Sequence, residues 1–484
     1  MERSQSNMGK GRKVIITQWI ESKKELFAAL SDEVWQLAEL GYREHHSAGL
    51  LADSLEEAGF VVERGAGGIP TAFVASYGTA KPVIAILGEF DALPGLSQDR
   101  LPERSPLVEG GNGHGCGHNL LGVGSLAAAM AAKEAIAAGD VQGTIRYYGC
   151  PAEENGSGKA YMVKAGLFDD VDLSLTWHPG SLNACVSVNM LANQKVFFHF
   201  QGTSSHAAAD PHNGRSALDA VELMNVGVNY LREHIIPEAR IHYVITNGGG
   251  PAPNVVPADA ESMYLIRAPR SDQLEELYER VVRVAKGAAM MTETQVAVRF
   301  HAGASNLLAN DTIADVLYAN MQALQPPQFA AEEEQFAREL AKTFPPGSRD
   351  LFASFLGPDL AKMMAAMKDK VLFEGLAPEY KLEKALPGST DVGDVSWVTP
   401  TGQIMAACQA IGTPGHSWQA VAQGGMSIGH RGMLYAAQVL ALGAANFMQE
   451  PGLLEKARAE FLERLRDTPY VSPIPDGVKP PLER

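Results

Sequence analysis

The sequence has 484 residues, more than one hydrophobic core usually supports, so it predicts two domains. Hydrophobic residues make up 46% and charged residues 20%, which excludes a disordered chain. The net charge of -16 argues against a nucleic-acid partner, because such a partner requires a basic face. The polar N-terminus lacks the apolar run of a signal peptide, and no segment indicates a membrane span. We therefore expect a cytoplasmic protein.

The first part of the chain alternates helical and strand-like segments. Apolar periodicity predicts helices from about Val14 to Leu40 and from Ser47 to Gly59. Four apolar strands follow, and an alanine-rich helix lies between the second and the third. The strand segments read TAFVASY, PVIAILG, TIRYYG and VDLSLTW. Strands rich in Val and Ile that alternate with helices indicate an α/β sheet covered on both faces.

A second pattern begins near Gln194. Up to about Phe300 the order is strand, helix, strand, strand, helix, strand, which is the β-α-β-β-α-β unit of a small self-contained domain. Helix and strand segments resume after about Leu307, so this domain is inserted into the larger one. The predicted parts are 1–193 and 306–484 for the larger domain and 194–305 for the insertion. The segment from about Gln325 to Lys384 is interpreted as a helical, polar surface elaboration.

Residues that can bind metal ions stand where predicted strands end. Ligands of open α/β sheets bind at the carboxyl ends of the strands. The strand-end residues are Glu89 and Asp91, Glu153 and Glu154, His178, and His416.

The loop GNGHGCGHN, just before the alanine-rich helix, adds sulfur and imidazole groups. Its glycines let the backbone fold tightly enough for Cys116 and His118 to face one centre. Thiolate and imidazole favour zinc-like ions, and carboxylate admits manganese. If the thiolate bridges, five ligands can hold two divalent ions that share an activated water. The predicted ligands are Cys116, His118, Glu154, His178 and His416.

Each of these features has an ordinary alternative. A Glu-Glu doublet is usually a solvated surface pair, a His after a strand is usually a satisfied loop residue, and a glycine-rich loop is usually a turn. Four strand ends and the HGCGH loop all carry residues that can bind a metal ion, and this agreement favours a metal site over the ordinary alternatives. Of the adjacent glutamates, one can face a metal and the other its water, which assigns Glu154 as a ligand and Glu153 as the general base.

The motifs resemble those of the dinuclear metallopeptidases that include aminoacylase, glutamate carboxypeptidase and the indole-acetyl-amino-acid hydrolases. The similarity runs, in the family's order, through GEFDALPG, GHGCGHN, PAEENGSGKA, GTSSHAAADPHNGRSALDA, GGGPAPNVVPADAE and TPGHSW. It covers most of the chain. The resemblance implies an α/β mixed-sheet metallopeptidase catalytic domain with an inserted β-α-β-β-α-β dimerisation (lid) domain.

The resemblance also implies roles for residues outside the ligand set. Asp91 supports the metal site, and His206 in the inserted domain enters the partner's active site. Asn254 lies near the substrate. Without the resemblance, His206 would be a surface histidine and Asn254 a turn residue. Independently of the resemblance, Arg267 is a candidate for a substrate carboxylate, although an Arg that closes a strand is more often a member of a surface ion pair.

The implied activity is hydrolysis of the amide bond of an N-acyl or N-aroyl amino acid, with an aroyl-glutamate conjugate as the first expectation and two zinc or manganese ions as cofactors. A homodimer is expected, or a heteromer with a related subunit. Two alternatives stay open: a dipeptidase or carboxypeptidase of the same mechanism, and a non-catalytic subunit of a heteromeric hydrolase. The sequence departs from the family pattern at Glu89 and Asn119, neither of them a predicted ligand.

Overall fold

A computed structural model describes residues 15–349, 357–466 and 468–482. The strands, in chain order, are β1 (Val61–Arg64), β2 (Phe73–Tyr77), β3 (Val83–Glu89), β4 (Thr144–Cys150), β5 (Leu173–Gly180), β6 (Ala184–Met190), β7 (Ala192–Gln201), β8 (Arg240–Asn247), β9 (Asp259–Ala268), β10 (Gln295–Ala304), β11 (Tyr380–Leu386) and β12 (Thr401–Ala407).

The α-helices include, in chain order, α1 (Lys24–Leu37), α2 (His45–Glu57), α3 (His118–Ala137), α4 (Glu153–Gly156), α5 (Gly158–Lys164), α6 (Ala217–Leu231), α7 (Ser271–Thr292), α8 (Asp311–Ala323), α9 (Ala331–Ala341), α10 (Gly357–Ala366), α11 (Val392–Ser396), α12 (Trp418–Gly424), α13 (Ser427–Gln449) and α14 (Pro451–Leu465).

The larger sheet is mixed, and within the described residues it has eight strands in the order β1-β2-β4-β3-β5-β12-β6-β11. The central strand β3 is parallel to β4 and β5, and β5 is parallel to β12. The carboxyl ends of these four strands therefore lie at one edge of the sheet. β3 is buried along its whole length, which explains why its sequence is an unbroken apolar run up to Glu89.

The alanine-rich helix α3 lies in the centre of the larger domain, where it packs against the sheet and against α13. It is long and apolar enough to cross a membrane by length and composition alone, but most of it is buried inside the protein, as core helices are. Small residues let it approach closely: a Cβ at Gly122 would lie 2.6 Å from the Glu89 carbonyl oxygen. This close packing holds the first turn of α3 against the end of β3.

The inserted segment forms an antiparallel four-stranded sheet in the order β10-β7-β9-β8. Side chains alternate between its faces, and Val196, Phe198 and Ile266 are buried in the same apolar cluster as residues of α6 and α7. The connection order is β-α-β-β-α-β, so the predicted fold class is confirmed. The domain boundaries at 194 and 305 stay a prediction.

One prediction about the fold is wrong in part. The segment from about Gln325 to Lys384 contains α9 and α10 as expected, but Tyr380–Leu386 is strand β11. It pairs in parallel with β6 at the edge of the larger sheet. The sequence YKLEKAL contains several good helix formers, and its pairing with β6 overrides this local preference.

Candidate active site

The five predicted ligand residues lie close together at the carboxyl edge of the larger sheet. One compact group comprises Cys116, His118 and His178, whose ligand atoms lie within 4.8 Å of one another. A second group of the same kind comprises Cys116, Glu154 and His416. The two groups share the Cys116 sulfur, as a thiolate that bridges two ions would require.

Local backbone geometry brings these side chains together. Cys116 and His118 flank Gly117, which has φ 77° and precedes the first turn of α3. A Cβ at Gly117 would lie 3.0 Å from Pro179 Cβ, so glycine meets both the conformational and the spatial requirement. His178 belongs to β5, and Glu154 follows β4 in the short helix α4.

The fifth ligand candidate, His416, lies in the loop after β12 with φ 50°. Its side chain is 57% exposed, and its Nε2 lies 3.5 Å from Glu154 Oε2. Cys116 Sγ lies 3.4 Å from His178 Nε2. The ligand atoms within each group thus lie at distances suited to one ion, and the His416 side of the second group stays open to solvent.

Asp91 orients two of the ligand residues at once. Its Oδ1 lies 2.8 Å from His118 Nδ1, and its Oδ2 accepts a hydrogen bond of 2.9 Å from the backbone N–H of Glu154. His178 is oriented in a similar way, because its Nδ1 lies 2.7 Å from the Pro179 carbonyl oxygen. Both imidazoles therefore turn Nε2 toward the cluster, as metal-bound histidines do.

The residues present fit divalent metal ions. Glu154 Oε1 is buried without a hydrogen-bond partner in the described structure, which is costly unless another group binds there. Burial also raises the pKa of the Cys116 thiol to about 12. A divalent cation beside the sulfur would reverse this and stabilise the thiolate.

Glu153 lies beside the cluster, with a carboxylate oxygen within 4.8 Å of ligand atoms of Glu89 and His118. Burial raises the pKa of its carboxyl group well above the usual range, and the negative charges of Glu89 and Asp391 raise it further. An adjacent carboxyl group with high proton affinity can accept a proton from a water at the cluster.

A model described as Peptidase family M20/M25/M40 matches residues 85–463. The chain belongs to this family. The predicted resemblance and the prediction of a hydrolase are thereby confirmed.

Two curated relatives extend over nearly the whole chain. The chain is 45% identical over 466 residues to the B subunit of p-aminobenzoyl-glutamate hydrolase of Escherichia coli (strain K12), covering 95% of this chain and 97% of the relative. It is 30% identical over 465 residues to Xaa-Arg dipeptidase of Mus musculus, covering 93% and 91%. The segments SSHAAADP and STDVGDVSW, with the helical elaboration, predict similarity to the first relative, and the identity confirms it.

A solved structure shows the same fold. It is a Bacillus subtilis protein described as a dinuclear metal-binding peptidase from the M20 family. It matches with a TM-score of 0.57 at 16% identity, covering 89% of this chain and 99% of that one.

This member of the M20/M25/M40 family contains a buried ion cluster that the sequence analysis missed. The fully buried ammonium of Lys159 lies 2.6 Å from Glu89 Oε1 and 2.6 Å from Asp391 Oδ1. Glu89 is one of the two residues that depart from the family pattern, and it contacts a predicted ligand. Its Oε2 lies 3.2 Å from His118 Nε2. The sequence did contain a signal for these residues. Lys159 lies in PAEENGSGKA and Asp391 in STDVGDVSW, and both segments carry the similarity to known proteins.

A second group of residues missed by the sequence analysis holds the α4 turn from outside. The Tyr42 hydroxyl donates to the Gly156 carbonyl at 2.7 Å, and Glu44 Oε1 accepts from the Ala152 N–H at 2.8 Å. Ala152 has φ 57°, a conformation that costs a non-glycine residue energy. The segment between α1 and α2 therefore fixes the backbone that carries Glu153 and Glu154.

Two residues of the HGCGH loop region face away from the cluster. His114 is buried with its Nε2 3.0 Å from the Val34 carbonyl oxygen. Asn119 donates to Ser31 Oγ and to the Gly424 carbonyl at 3.0 and 2.9 Å. Both side chains join the start of α3 to neighbouring segments, and neither belongs to the metal-binding groups found among the described residues.

The remaining predicted residues divide between the two ends of the inserted sheet. Arg267 lies near the end of β9, paired with Asn193 at the beginning of β7. His206 and Asn254 lie beyond the opposite end, where the Asn254 carbonyl accepts from Ala207 N at 3.0 Å. Within the described chain, no hydrogen bond or ion pair found joins His206 or Asn254 to the metal-binding groups.

Proposed function

We propose that this chain hydrolyses the amide bond of an N-acyl or N-aroyl amino acid, of the p-aminobenzoyl-glutamate kind, using water activated by two divalent ions. The observation that carries the proposal is the pair of ligand groups that share Cys116 and adjoin Glu153. The 45% identity to one chain of a p-aminobenzoyl-glutamate hydrolase supports the substrate class. A dipeptidase of the same mechanism is the second candidate, supported by the similarity to Xaa-Arg dipeptidase.

The ligands Cys116, His118, Glu154, His178 and His416 would hold the two ions. When bound, two such ions lower the pKa of a shared water and polarise a carbonyl. Zinc and manganese are both compatible with a donor set of one sulfur, three imidazoles and a carboxylate. Asp91 keeps His118 and Glu154 in place through the contacts of its two oxygens.

Glu153 would accept the proton of the attacking water and pass it to the departing amide nitrogen. His206 would stabilise the carbonyl oxygen of the partner's substrate. Its Nδ1 accepts from the Ala208 and Ala209 N–H groups at 3.2 and 3.1 Å, so a neutral ring carries its proton on Nε2. An N–H directed away from its own loop can donate to a developing oxyanion.

A cytoplasmic homodimer, or a heteromer with a related subunit, is the assembly proposed with this function. Asn254 and Arg267 are proposed to contact the substrate. Arg267 is partly buried, and its Nε is buried without a hydrogen-bond partner in the described structure, so a substrate carboxylate would complete its contacts.

The purified chain, loaded with manganese or zinc, is expected to cleave aroyl-amino acids, with the glutamate conjugate among the best. Products from a panel of aroyl-amino acids and dipeptides are measured by mass spectrometry. Cleavage of dipeptides alone would establish the second candidate instead. Activity that requires an added subunit, with none from this chain alone, would identify a non-catalytic partner.

Two ions per chain are expected after full loading, and chelation is expected to abolish activity. Cys116→Ser should lower the stoichiometry measured by elemental analysis, because the bridging sulfur serves both ligand groups. Cys408→Ser is the matched control, since this buried thiol lies outside both groups. One ion at saturation, unaffected by Cys116→Ser, would contradict the shared thiolate.

Glu153→Gln is expected to keep metal and fold but to lose roughly 100-fold to 10,000-fold in turnover, because the amide cannot accept the proton. Metal content and circular dichroism should match those of the wild type. Turnover near the wild-type value would assign the base elsewhere.

His206→Ala should lower turnover more than it weakens substrate binding, because the proposed interaction forms mainly in the transition state. Mixing His206→Ala chains with Glu153→Gln chains tests donation between subunits. In a mixed dimer, one site has Glu153 from its own chain and His206 from its partner. Recovered activity supports donation, whereas no recovery after proven subunit exchange would place any role of His206 within its own chain.

A further inference from the structure

Two cations of the inserted sheet lie next to each other beside the metal-binding groups. Lys195 is on β7 and Arg267 on β9, and the antiparallel register pairs Asn193 with Arg267 and Lys195 with Leu265. Paired residues, and residues two apart, point to the same face of a sheet. Lys195 and Arg267 are therefore diagonal neighbours on the face opposite the apolar cluster formed with α6 and α7.

Lys195 reaches the metal-ligand turn of its own chain. Its Nζ donates to the Glu154 carbonyl oxygen and to Asn155 Oδ1, both at 3.3 Å. These long hydrogen bonds go to neutral oxygens, and the carboxylates of Glu153 and Glu154 act on the Lys195 charge without a hydrogen bond to it. Burial lowers the pKa of the Lys195 ammonium, and the same cause lowers the pKa of Arg267.

Neither cation has a carboxylate partner among the salt bridges of the described residues, and Arg267 Nε is buried without a hydrogen bond. Other cations nearby are neutralised. Arg299, on the same face of the sheet, lies 3.2 Å from Glu261 Oε2 and stacks over Phe197. Two like charges that are partly buried and have no carboxylate within salt-bridge distance are unfavourable, so the pair fits a ligand with two negative groups.

We propose that Lys195 determines specificity together with Arg267, each binding one carboxylate of a dicarboxylic amino acid. The inference rests on the proposed function and narrows its substrates to conjugates of glutamate or aspartate. A basic amino acid would place a third cation beside two unpaired ones, so the pair disfavours substrates that end in arginine or lysine.

The test measures kcat/KM for three p-aminobenzoyl conjugates: glutamate, glutamine, which lacks the side-chain carboxylate, and 4-aminobutyrate, which lacks the α-carboxylate. The wild type should prefer glutamate to each of the others by roughly 10-fold to 100-fold, the range for one charged hydrogen bond. Lys195→Met should lower kcat/KM strongly for the glutamate conjugate. It should lower it far less for the conjugate that lacks the carboxylate bound by Lys195. Arg267→Met should show the complementary pattern.

Matched variants separate recognition from structural damage. Arg299→Met removes a paired cation from the same sheet face and should leave all three ratios unchanged. Lys195→Arg should restore selectivity, and Lys195→Gln replaces Lys195→Met if the latter loses metal by elemental analysis. An equal loss on all three conjugates for Lys195→Met and Lys195→Gln overturns the inference.

The two proposals fail in different ways. Similar wild-type rates on all three conjugates would overturn the dicarboxylate inference and leave the proposed amide hydrolysis intact. No hydrolysis of any conjugate by the metal-loaded enzyme would refute the proposed function and this inference with it.

Discussion

The rest of the site depends on the ion pairs that the buried ammonium of Lys159 forms. It joins the end of β3, through Glu89, to Asp391 at the start of α11, and Asp391 also accepts from the Lys159 backbone N–H at 2.9 Å. Because these side chains are buried, each charge depends on the others, and losing one partner would leave an uncompensated charge. The pairing fixes three segments that are distant in sequence. Glu89 in turn lies next to His118. Asp91 contacts His118 and also accepts a hydrogen bond from the Glu154 backbone N–H.

One ammonium does not balance the acidic groups that surround it. Glu89, Asp91, Asp391 and the Glu153–Glu154 pair converge on a small volume, and burial raises the pKa of Glu153, Glu154 and Asp391. Two divalent ions would supply the missing positive charge, so metal binding and the ionisation of these carboxyl groups should be coupled. If the substrate is anionic, as proposed, Lys195 and Arg267 would offset the repulsion between it and these five carboxyl groups.

The sequence predicted the parts of the fold and site that follow from local pattern. Apolar runs located β3, β4 and β5, and the rule that ligands lie at strand ends led to His178 and Glu154. Lys159 could not be found in this way, since a lysine in a short helix is normally solvated and its partner Asp391 is 232 residues away. Strand β11 was missed because its pairing with β6, which is distant in sequence, overrides its local preference. The Tyr42 and Glu44 contacts depend equally on tertiary packing.

The length of β7 and β9 separates the two ends of the inserted sheet. From Lys195 to Gln201 the strand extends six residues, about 20 Å at roughly 3.3 Å per residue. Lys195 reaches Glu154 of its own chain, so the His206 loop beyond Gln201 lies a strand length away from that same cluster. Two-fold association places equivalent surfaces in reciprocal contact, so a loop that projects from one chain can serve the other. Under the proposed roles of Lys195 and His206, substrate charge would be recognised within a chain and transition-state stabilisation would come from its partner. Assembly would then itself be a condition for catalysis.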